Sequence, residues 1–376
     1  MRFENRKLCF MLYFLFIFSL SACSLKYQRE TVSEETVPQI SFEELVLTQY
    51  SDDKKTLRLE GTVYEQYKKS GLIYAKDASF VIFDSDQKET ASATAKYISA
   101  DTRNEIYEFF DGITFLDNNQ GTQIAGNTLK WNTSTEQLVS AKNQELTIKK
   151  DNLEITGKDF SASAISNTFL FSGPVHGQQI LTGANAGDKI LFSGDSMQGS
   201  MASSKNSSKK NYTILSGNAT VKTSTMEIQA DTIELSGEDF NHIKASGNIK
   251  GTNTESELSF TAQEMEYNQD TKIVILTGDV ELKDEKNNVT AKAQSIEYDQ
   301  NTDVAVMQID VELTQKQNVC KAAYSIYRKK EQTLELSGNA IVRQKDDMFR
   351  AQSITFNMET EEIQMDGNIR GTVTSN

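Results

Sequence analysis

Few residues in this sequence have the types and spacing that catalysis or metal binding requires. The two histidines, His176 and His242, are far apart and belong to no metal-binding or nucleophile-base motif. The three cysteines, Cys9, Cys23 and Cys320, have neither zinc-ligand nor redox spacing, and Cys320 is interpreted as a small buried residue. No phosphate-binding glycine loop occurs, and the carboxylates occupy predicted turns and solvent-facing positions. We therefore expect no catalytic residue, no metal site and no cofactor.

Cys23 is the residue with a predicted covalent role. It ends the segment Leu20-Ser21-Ala22-Cys23, which follows a basic start and an apolar run of secretory length. The segment resembles the bacterial lipobox, in which the leader is cut before the cysteine and the cysteine receives lipid. The resemblance implies that residues 1–22 are a lipoprotein signal peptide and that acyl chains such as palmitate on Cys23 anchor the protein to a membrane. An ordinary signal peptide or an uncleaved anchor remains open.

Charge and composition exclude one class of partner and suggest the domain boundaries. The chain has 376 residues and a formal net charge of −14, which argues against nucleic-acid binding. Residues 23–41 are polar and aperiodic, as a tether would be, and residues 199–211 form a Ser- and Lys-rich loop or linker. The expected domains are therefore residues 42–198 and 212–376.

A repeated unit organises the body of the chain. In Ala293-Gln-Ser-Ile296-Glu-Tyr298, a small residue is followed three positions later by an apolar residue and two further on by an aromatic one. The small residue recurs at Ala230, Ala262, Ala293, Ala323 and Ala351, at intervals of 32, 31, 30 and 28 residues. A second element, as in Leu276-Thr-Gly278, recurs at nearly the same period. A fixed period of this length indicates units that bury their apolar sides by stacking on one another.

Each unit is predicted to contain two antiparallel strands joined by polar turns. Apolar residues alternate with polar ones, which indicates strands with one buried and one solvated face. Ala293 and Ile296 break the alternation, because three residues separate them. A bulge or bend between them would place both side chains inside and fold the strand over a corner, which would form two facing sheets.

These repeats, behind a lipobox, resemble the periplasmic proteins of lipopolysaccharide export. The second half resembles the LptA (OstA-like) family through segments such as Ala262-Gln-Glu-Met265, Leu276-Thr-Gly278-Asp-Val280 and Ala293–Tyr298. The first half resembles the LptC family through Gly126–Asn132 and through Gly157–Ala162 with Phe169–Val175. Three features depart from the families: a lipid anchor replaces the usual LptC transmembrane helix, Ile309 stands at an expected glycine, and Arg328 at an expected aromatic residue.

The resemblance implies an all-β, antiparallel, open and twisted β-jelly-roll of two facing sheets, with two jelly rolls in tandem as a further possibility. It also implies a non-enzymatic carrier or bridge that moves lipopolysaccharide, or a related glycolipid, across the periplasm with acyl chains in its apolar interior. Other jelly-roll export components are expected to join by edge-strand addition, and the protein to lie in the cell envelope, facing the periplasm and lipid-anchored to the inner or outer membrane.

The residues expected to line the lipid groove share inward, apolar positions in the repeat. They are Trp131, Phe160, Phe171, Ile228, Ile233, Leu235, Met265, Tyr267, Leu276, Val280, Ile296, Tyr298, Ile326, Leu336, Ile354 and Phe356. A closed hydrophobic core would use the same residues. The alternative function is therefore a structural or adhesive surface lipoprotein that uses the β-repeat as a scaffold.

Overall fold

A computed structural model describes residues 37–374, except 102, 119–120, 133, 164, 181–186, 201–211 and 238–240. The predicted signal peptide, Cys23, most of the tether and most of the Ser- and Lys-rich segment lie outside the described residues. No helix long and apolar enough to cross a membrane occurs in the described part of the chain. The regular structure there is antiparallel β-strand, which confirms the predicted all-β fold class.

The chain forms two compact units. Among the described residues, the N-terminal unit comprises residues 37–180 and 196–200, and the C-terminal unit comprises residues 187–195 and 212–374. The strands of the N-terminal unit are β1 (Ile40–Ser51), β2 (Lys54–Gln66), β3 (Leu72–Phe83), β4 (Glu89–Asp101), β5 (Ile106–Asp117), β6 (Thr122–Asn132), β7 (Gln137–Ser140), β8 (Glu145–Lys150), β9 (Leu153–Lys158), β10 (Phe160–Ser163), β11 (Thr168–Phe171), β12 (Val175–Ile180) and β14 (Ser196–Ser200).

The strands of the C-terminal unit are β13 (Lys189–Gly194), β15 (Tyr212–Lys222), β16 (Met226–Ser236), β17 (His242–Asn253), β18 (Leu258–Asn268), β19 (Ile273–Asp284), β20 (Val289–Asp299), β21 (Val304–Gln315), β22 (Asn318–Arg328), β23 (Thr333–Gln344), β24 (Asp347–Asn357), β25 (Ile363–Asp366) and β26 (Arg370–Thr372). From β15 to β24 each strand pairs with the next in a continuous meander. Strand β13 pairs with β15 in this unit, whereas β14 pairs with β11 in the N-terminal unit.

The ladder of the N-terminal unit divides in two after β6. Strands β1 to β6 form a meander, and β6 then pairs with β7 at one end and with β8 at the other. One branch continues through β10, β11 and β14, and the other through β9 and β12. The interruptions fall where the backbone leaves extended geometry, at Asp159 with a φ of 55°, or where a donor is missing, at Pro174. The two branches therefore diverge from β6 but remain parts of one hydrogen-bonded sheet.

Strands of the C-terminal unit turn a corner near their centres. In β19, Gly278 and Asp279 have φ values of 81° and 47°, and these two residues face a single residue of β20. Leu276 before the corner and Val280 after it are both buried. Ala293 and Ile296 are also both buried, as the predicted bend requires, but the extra residue lies on the neighbouring strand rather than between them. Glycine suits the first position because it adopts positive φ without a Cβ clash.

Ile309 occupies the corner position of β21 that is glycine in β19 and β23. Its φ is 63°, so a β-branched residue has left-handed backbone geometry, which is strained. Because 58% of its surface is exposed, burial of the side chain does little to offset this strain. We expect Ile309→Gly to raise the unfolding free energy by about 1 kcal/mol, because the relief of strain exceeds the entropy cost of glycine. Urea denaturation followed by circular dichroism measures the change.

The reverse substitution at Gly338 of β23 is the matched control for Ile309→Gly. Gly338 has a φ of 76°, and an added Cβ would lie 2.9 Å from the Cβ of Ala323. Gly338→Ile is therefore expected to lower stability. A loss of stability in Ile309→Gly would contradict the assignment of strain to the corner.

Candidate functional site

One line of side chains crosses the inner face of the C-terminal unit from strand to strand. We call it the central row, and its members are in register between neighbouring strands: Leu215, Ile233, Ala245, Met265, Leu276, Ile296, Met307, Ser325, Leu336, Ile354 and Met365. All but Met365 are buried, and all but Ser325 are apolar. Because neighbouring strands lie about 4.8 Å apart, the row extends for roughly 50 Å. It forms a continuous apolar track at right angles to the strands.

A second inward row lies on the other side of the corner and consists of small or β-branched residues. Its in-register pairs are Ala219 with Ala230, Ile249 with Ala262, Val280 with Ala293, Val311 with Ala322, and Ala340 with Ala351. Small side chains at this point allow the two arms of each bent strand to approach closely. The repeated small residue of the sequence therefore marks the inside of the corner.

Tyrosine rings mark the opposite margin of the inner face. Tyr267, Tyr298 and Tyr327 lie half-buried in a row of in-register residues that continues through Leu334 and Phe356 to Ile363. The hydroxyl of Tyr298 donates a hydrogen bond of 2.7 Å to Oδ1 of Asp303. Burial raises the pKa of the Tyr298 phenol, and the hydrogen bond from that phenol lowers the pKa of the Asp303 carboxyl. The hydroxyls of Tyr267 and Tyr298 have polar partners, whereas that of Tyr327 is buried without one.

The N-terminal unit has its own aromatic cluster on its inner face. The ring centroids of Phe160 and Phe171 are 5.0 Å apart, and both side chains are buried. Phe171 is in register with the buried Met197 of β14. Its ring packs against Gly157, where an added Cβ would lie 2.6 Å from Cδ1 of Phe171. Trp131 is half-buried, 6.1 Å from the ring of Tyr107.

Charged groups lie on the outer faces, where they form exposed ion pairs. Lys244 pairs with Glu266, and Lys321 with Glu312 on neighbouring strands. Exposed pairs of this kind contribute little to stability. Within the described residues, no group of three or more His, Cys, Asp or Glu side chains could hold a metal ion. The charges of these pairs thus lie on the outer faces, whereas the inner faces are lined mainly by apolar side chains.

The thiol of Cys320 also faces the interior, in β22. It is buried and free, as the sequence interpretation required, and burial raises its pKa to about 12. A thiol held in this protonated form is a poor nucleophile, so the residue fills space in the core.

Two sequence families match the chain, one for each half. The family described as lipopolysaccharide-assembly, LptC-related, matches residues 7–179. The family described as LptA/(LptD N-terminal domain) LPS transport protein matches three overlapping segments, residues 200–304, 285–333 and 304–362. The chain joins an LptC-related segment to an LptA-like segment. We accordingly call the two parts the LptC-like and LptA-like units.

The comparison with solved structures gives a weaker likeness. A crystal structure of LptH, described as the LptA-homologous periplasmic component of the lipopolysaccharide transport device of Pseudomonas aeruginosa, is 10% identical, with 50% of this chain and 95% of that chain covered and a TM-score of 0.16. No curated protein matched the chain. The family assignment therefore rests on the two sequence families.

Most of the predicted groove residues lie on inward-facing positions. In the LptA-like unit, Ile228, Ile233, Met265, Leu276, Val280, Ile296, Leu336, Ile354 and Phe356 are buried, whereas Leu235, Tyr267 and Tyr298 are half-buried at the tyrosine margin. In the LptC-like unit, Phe160 and Phe171 are buried. The structure thus brings these residues together on the inner faces in the form of a packed interior.

Ile326 is the exception, because its strand register, unlike the one assumed from sequence, places it on the outer face of β22. It is in register with Val306 and with Glu335, which lies on the outer face. The inward position of the central row is instead filled by Ser325, between Met307 and Leu336. A shift of one residue along a strand moves every side chain to the opposite face.

The error arose from two consecutive alanines in β22. The sequence interpretation used Ala323, whereas Ala322 is the residue in register with the inward Val311. Ala322 is equidistant in sequence from Ala293 and Ala351, and this equal spacing was the signal that could have found it. With Ala322 as the reference, Tyr327 occupies the aromatic position. The apparent departure at Arg328 therefore disappears.

Proposed function

We propose that this protein carries lipopolysaccharide across the periplasm by holding its acyl chains against the inner faces of its two units, without catalysing a reaction. The central row carries the proposal, because it supplies an apolar track of roughly 50 Å in a protein of two lipopolysaccharide-transport families. Each buried CH₂ contributes about 0.8 kcal/mol, so a lipid with several acyl chains can bind with few specific polar contacts.

Acyl chains can enter only if the two arms of the bent strands move apart. Ile296, Leu336 and Phe356 are at most 2% exposed, so the positions that would contact lipid already contact protein. The loss of side-chain contacts on opening would be offset by contacts with the acyl chain, which has similar polarity. The packed interior also favours the second candidate function, a structural surface lipoprotein whose β-repeat serves as a scaffold.

Photo-crosslinking distinguishes a carrier from a scaffold. A photoreactive residue at the inward Ile296 or Leu276 is expected to form adducts with lipopolysaccharide in cells, because an acyl chain on the central row would touch these positions. The same residue at Glu297, which is exposed on the outer face beside Ile296, is the matched control. Adducts at the inward sites alone support a carrier. Equal labelling at Glu297, or no labelling at any site, would reject it and leave the scaffold.

The C-terminal edge of the LptA-like unit is proposed as the docking site for another jelly-roll component. The last described strands, β25 and β26, both pair with β24, and exposed residues predominate in them. Free edge groups accept an added strand from a partner. A photoreactive residue at the exposed Gln364 of β25 is expected to give protein adducts. Absence of such adducts in cells where Ile296 is labelled by lipid would rule out docking at this edge.

The lipid anchor on Cys23 is proposed on the lipobox resemblance. It would keep the protein at the periplasmic surface of the inner or outer membrane while residues 23–41 act as a tether. Incorporation of labelled palmitate into the wild-type chain, and its absence in Cys23→Ser, is the expected result. Palmitate incorporation into the variant would argue against this site.

A further inference from the structure

A single polar side chain interrupts the apolar central row. Ser325 in β22 lies between Met307 of β21 and Leu336 of β23 and has no exposed surface. Among the described residues its Oγ has no hydrogen-bond partner. A buried hydroxyl without a partner destabilises a protein, because it has lost its hydrogen bonds to water and gained none in return. The packed central row therefore contains an unsatisfied donor and acceptor at a fixed point.

The strand that carries Ser325 also has small inward side chains on both sides of the corner. Cys320, Ala322 and Ser325 face inward on β22. At the corresponding positions, β24 has Phe349, Ala351 and Ile354. The residues of β23 in register with these are Val342, Ala340 and Leu336. When the arms of the strands separate, more room opens over β22 than over its neighbours. We call the surface of Cys320, Ala322 and Ser325 the β22 notch.

We propose that the β22 notch binds a hydroxyl-bearing segment of an acyl chain, with Ser325 Oγ hydrogen-bonded to the hydroxyl. This proposal rests on the proposed carrier function and adds a point of recognition to it. A hydroxyl both donates and accepts, as Ser325 does, so each group can satisfy the other. The surrounding Met307 and Leu336 exclude water, which strengthens a hydrogen bond and makes an unmatched methylene at that point less favourable.

The notch would also set the position of the lipid along the track. A uniformly apolar row lets an acyl chain slide, because each strand-to-strand step replaces one methylene contact by another. A single hydrogen-bonding point makes one position more stable than its neighbours. The lipid is then held in a preferred register that a plain acyl chain would not adopt.

Two fatty acids of equal length test this inference. Binding of 3-hydroxytetradecanoic acid and of tetradecanoic acid to the full chain is measured by titration calorimetry. We expect the hydroxylated acid to bind about tenfold more tightly, which is the effect of roughly one satisfied buried hydrogen bond. In Ser325→Ala we expect this preference to disappear, because both acids then meet only apolar side chains at that point. Ser325→Thr, which keeps a hydroxyl, should retain the preference.

Ser295→Ala is the matched control. Ser295 is half-buried in β20, pairs with Gln308 of β21 and lies outside the central row, so its loss should leave the preference unchanged. Thermal denaturation provides a readout that does not depend on lipid. Ser325→Ala should be at least as stable as the wild type, because it removes an unsatisfied hydroxyl.

The outcomes separate this inference from the function on which it rests. Equal binding of the two acids by the wild type, or a preference that survives in Ser325→Ala, would overturn the notch and leave the carrier function intact. Failure of the wild type to bind either acid would overturn both.

Discussion

Replacing Phe356 with alanine is expected to lower the unfolding free energy by about 3–5 kcal/mol. Phe356 has no exposed surface and is in register with Leu334, which is also fully buried. Removal of the ring leaves a cavity that the strand ladder cannot close, because hydrogen bonds fix the backbone on both sides. The decrease is measured by urea denaturation followed by circular dichroism.

The matched control for Phe356→Ala is Ile326→Ala, a truncation on the outer face of the same unit. Ile326 is half-buried and in register with outward residues, so we expect its truncation to cost about 1 kcal/mol or less. A loss at Ile326 as large as that at Phe356 would show that the faces of β22 have been assigned the wrong way round. The comparison therefore tests the corrected register as well as the core.

A substitution of Gly157 with alanine is expected to destabilise the LptC-like unit by about 2–3 kcal/mol through overpacking. The added Cβ would lie 2.6 Å from Cδ1 of Phe171 and 3.0 Å from Cγ2 of Val175. Phe171 is fully buried against Phe160 and has nowhere to move. The result is read as a shift of the urea midpoint.

Gly126 provides the control for Gly157, because both glycines are in register with Leu146. An added Cβ at Gly126 meets its nearest atom at 3.5 Å, an ordinary contact, so Gly126→Ala should be tolerated. Phe171→Leu in the Gly157→Ala background should restore part of the loss by making room. If Gly126→Ala lowered stability as much as Gly157→Ala, the strands would be intolerant of alanine in general. The explanation by close packing against Phe171 would then be rejected.

The repeat period and the alternation of apolar residues predicted antiparallel strands folded over a corner. These features are local, because each depends on the side-chain period of two and on turn residues within a few positions. Ile309 was identified as an anomaly from sequence for the same reason. Its left-handed φ shows that the corner needs this backbone geometry even where glycine is absent.

Which residues of β22 point inward could be determined only from the pairing of β22 with its neighbouring strands. Ala322 and Ala323 are chemically identical, so the repeat pattern could not decide which of them points inward. Hydrogen bonding to β21 and β23 decided it and placed Ser325, rather than Ile326, on the central row. The β22 notch was invisible from sequence, because a serine beside an isoleucine in a strand gives no sign that its hydroxyl is buried without a partner.

The β-repeat and its resemblance to the lipopolysaccharide-transport families could be predicted from sequence, because strand period, turn chemistry and repeat length are properties of short segments. The pairing of β13 with β15 and of β14 with β11 could not be predicted in this way, and neither could the side chains that complete the central row. The physical reason is that register is set by hydrogen bonds between strands, and a slip of one residue reverses both faces without altering the pattern of any single strand.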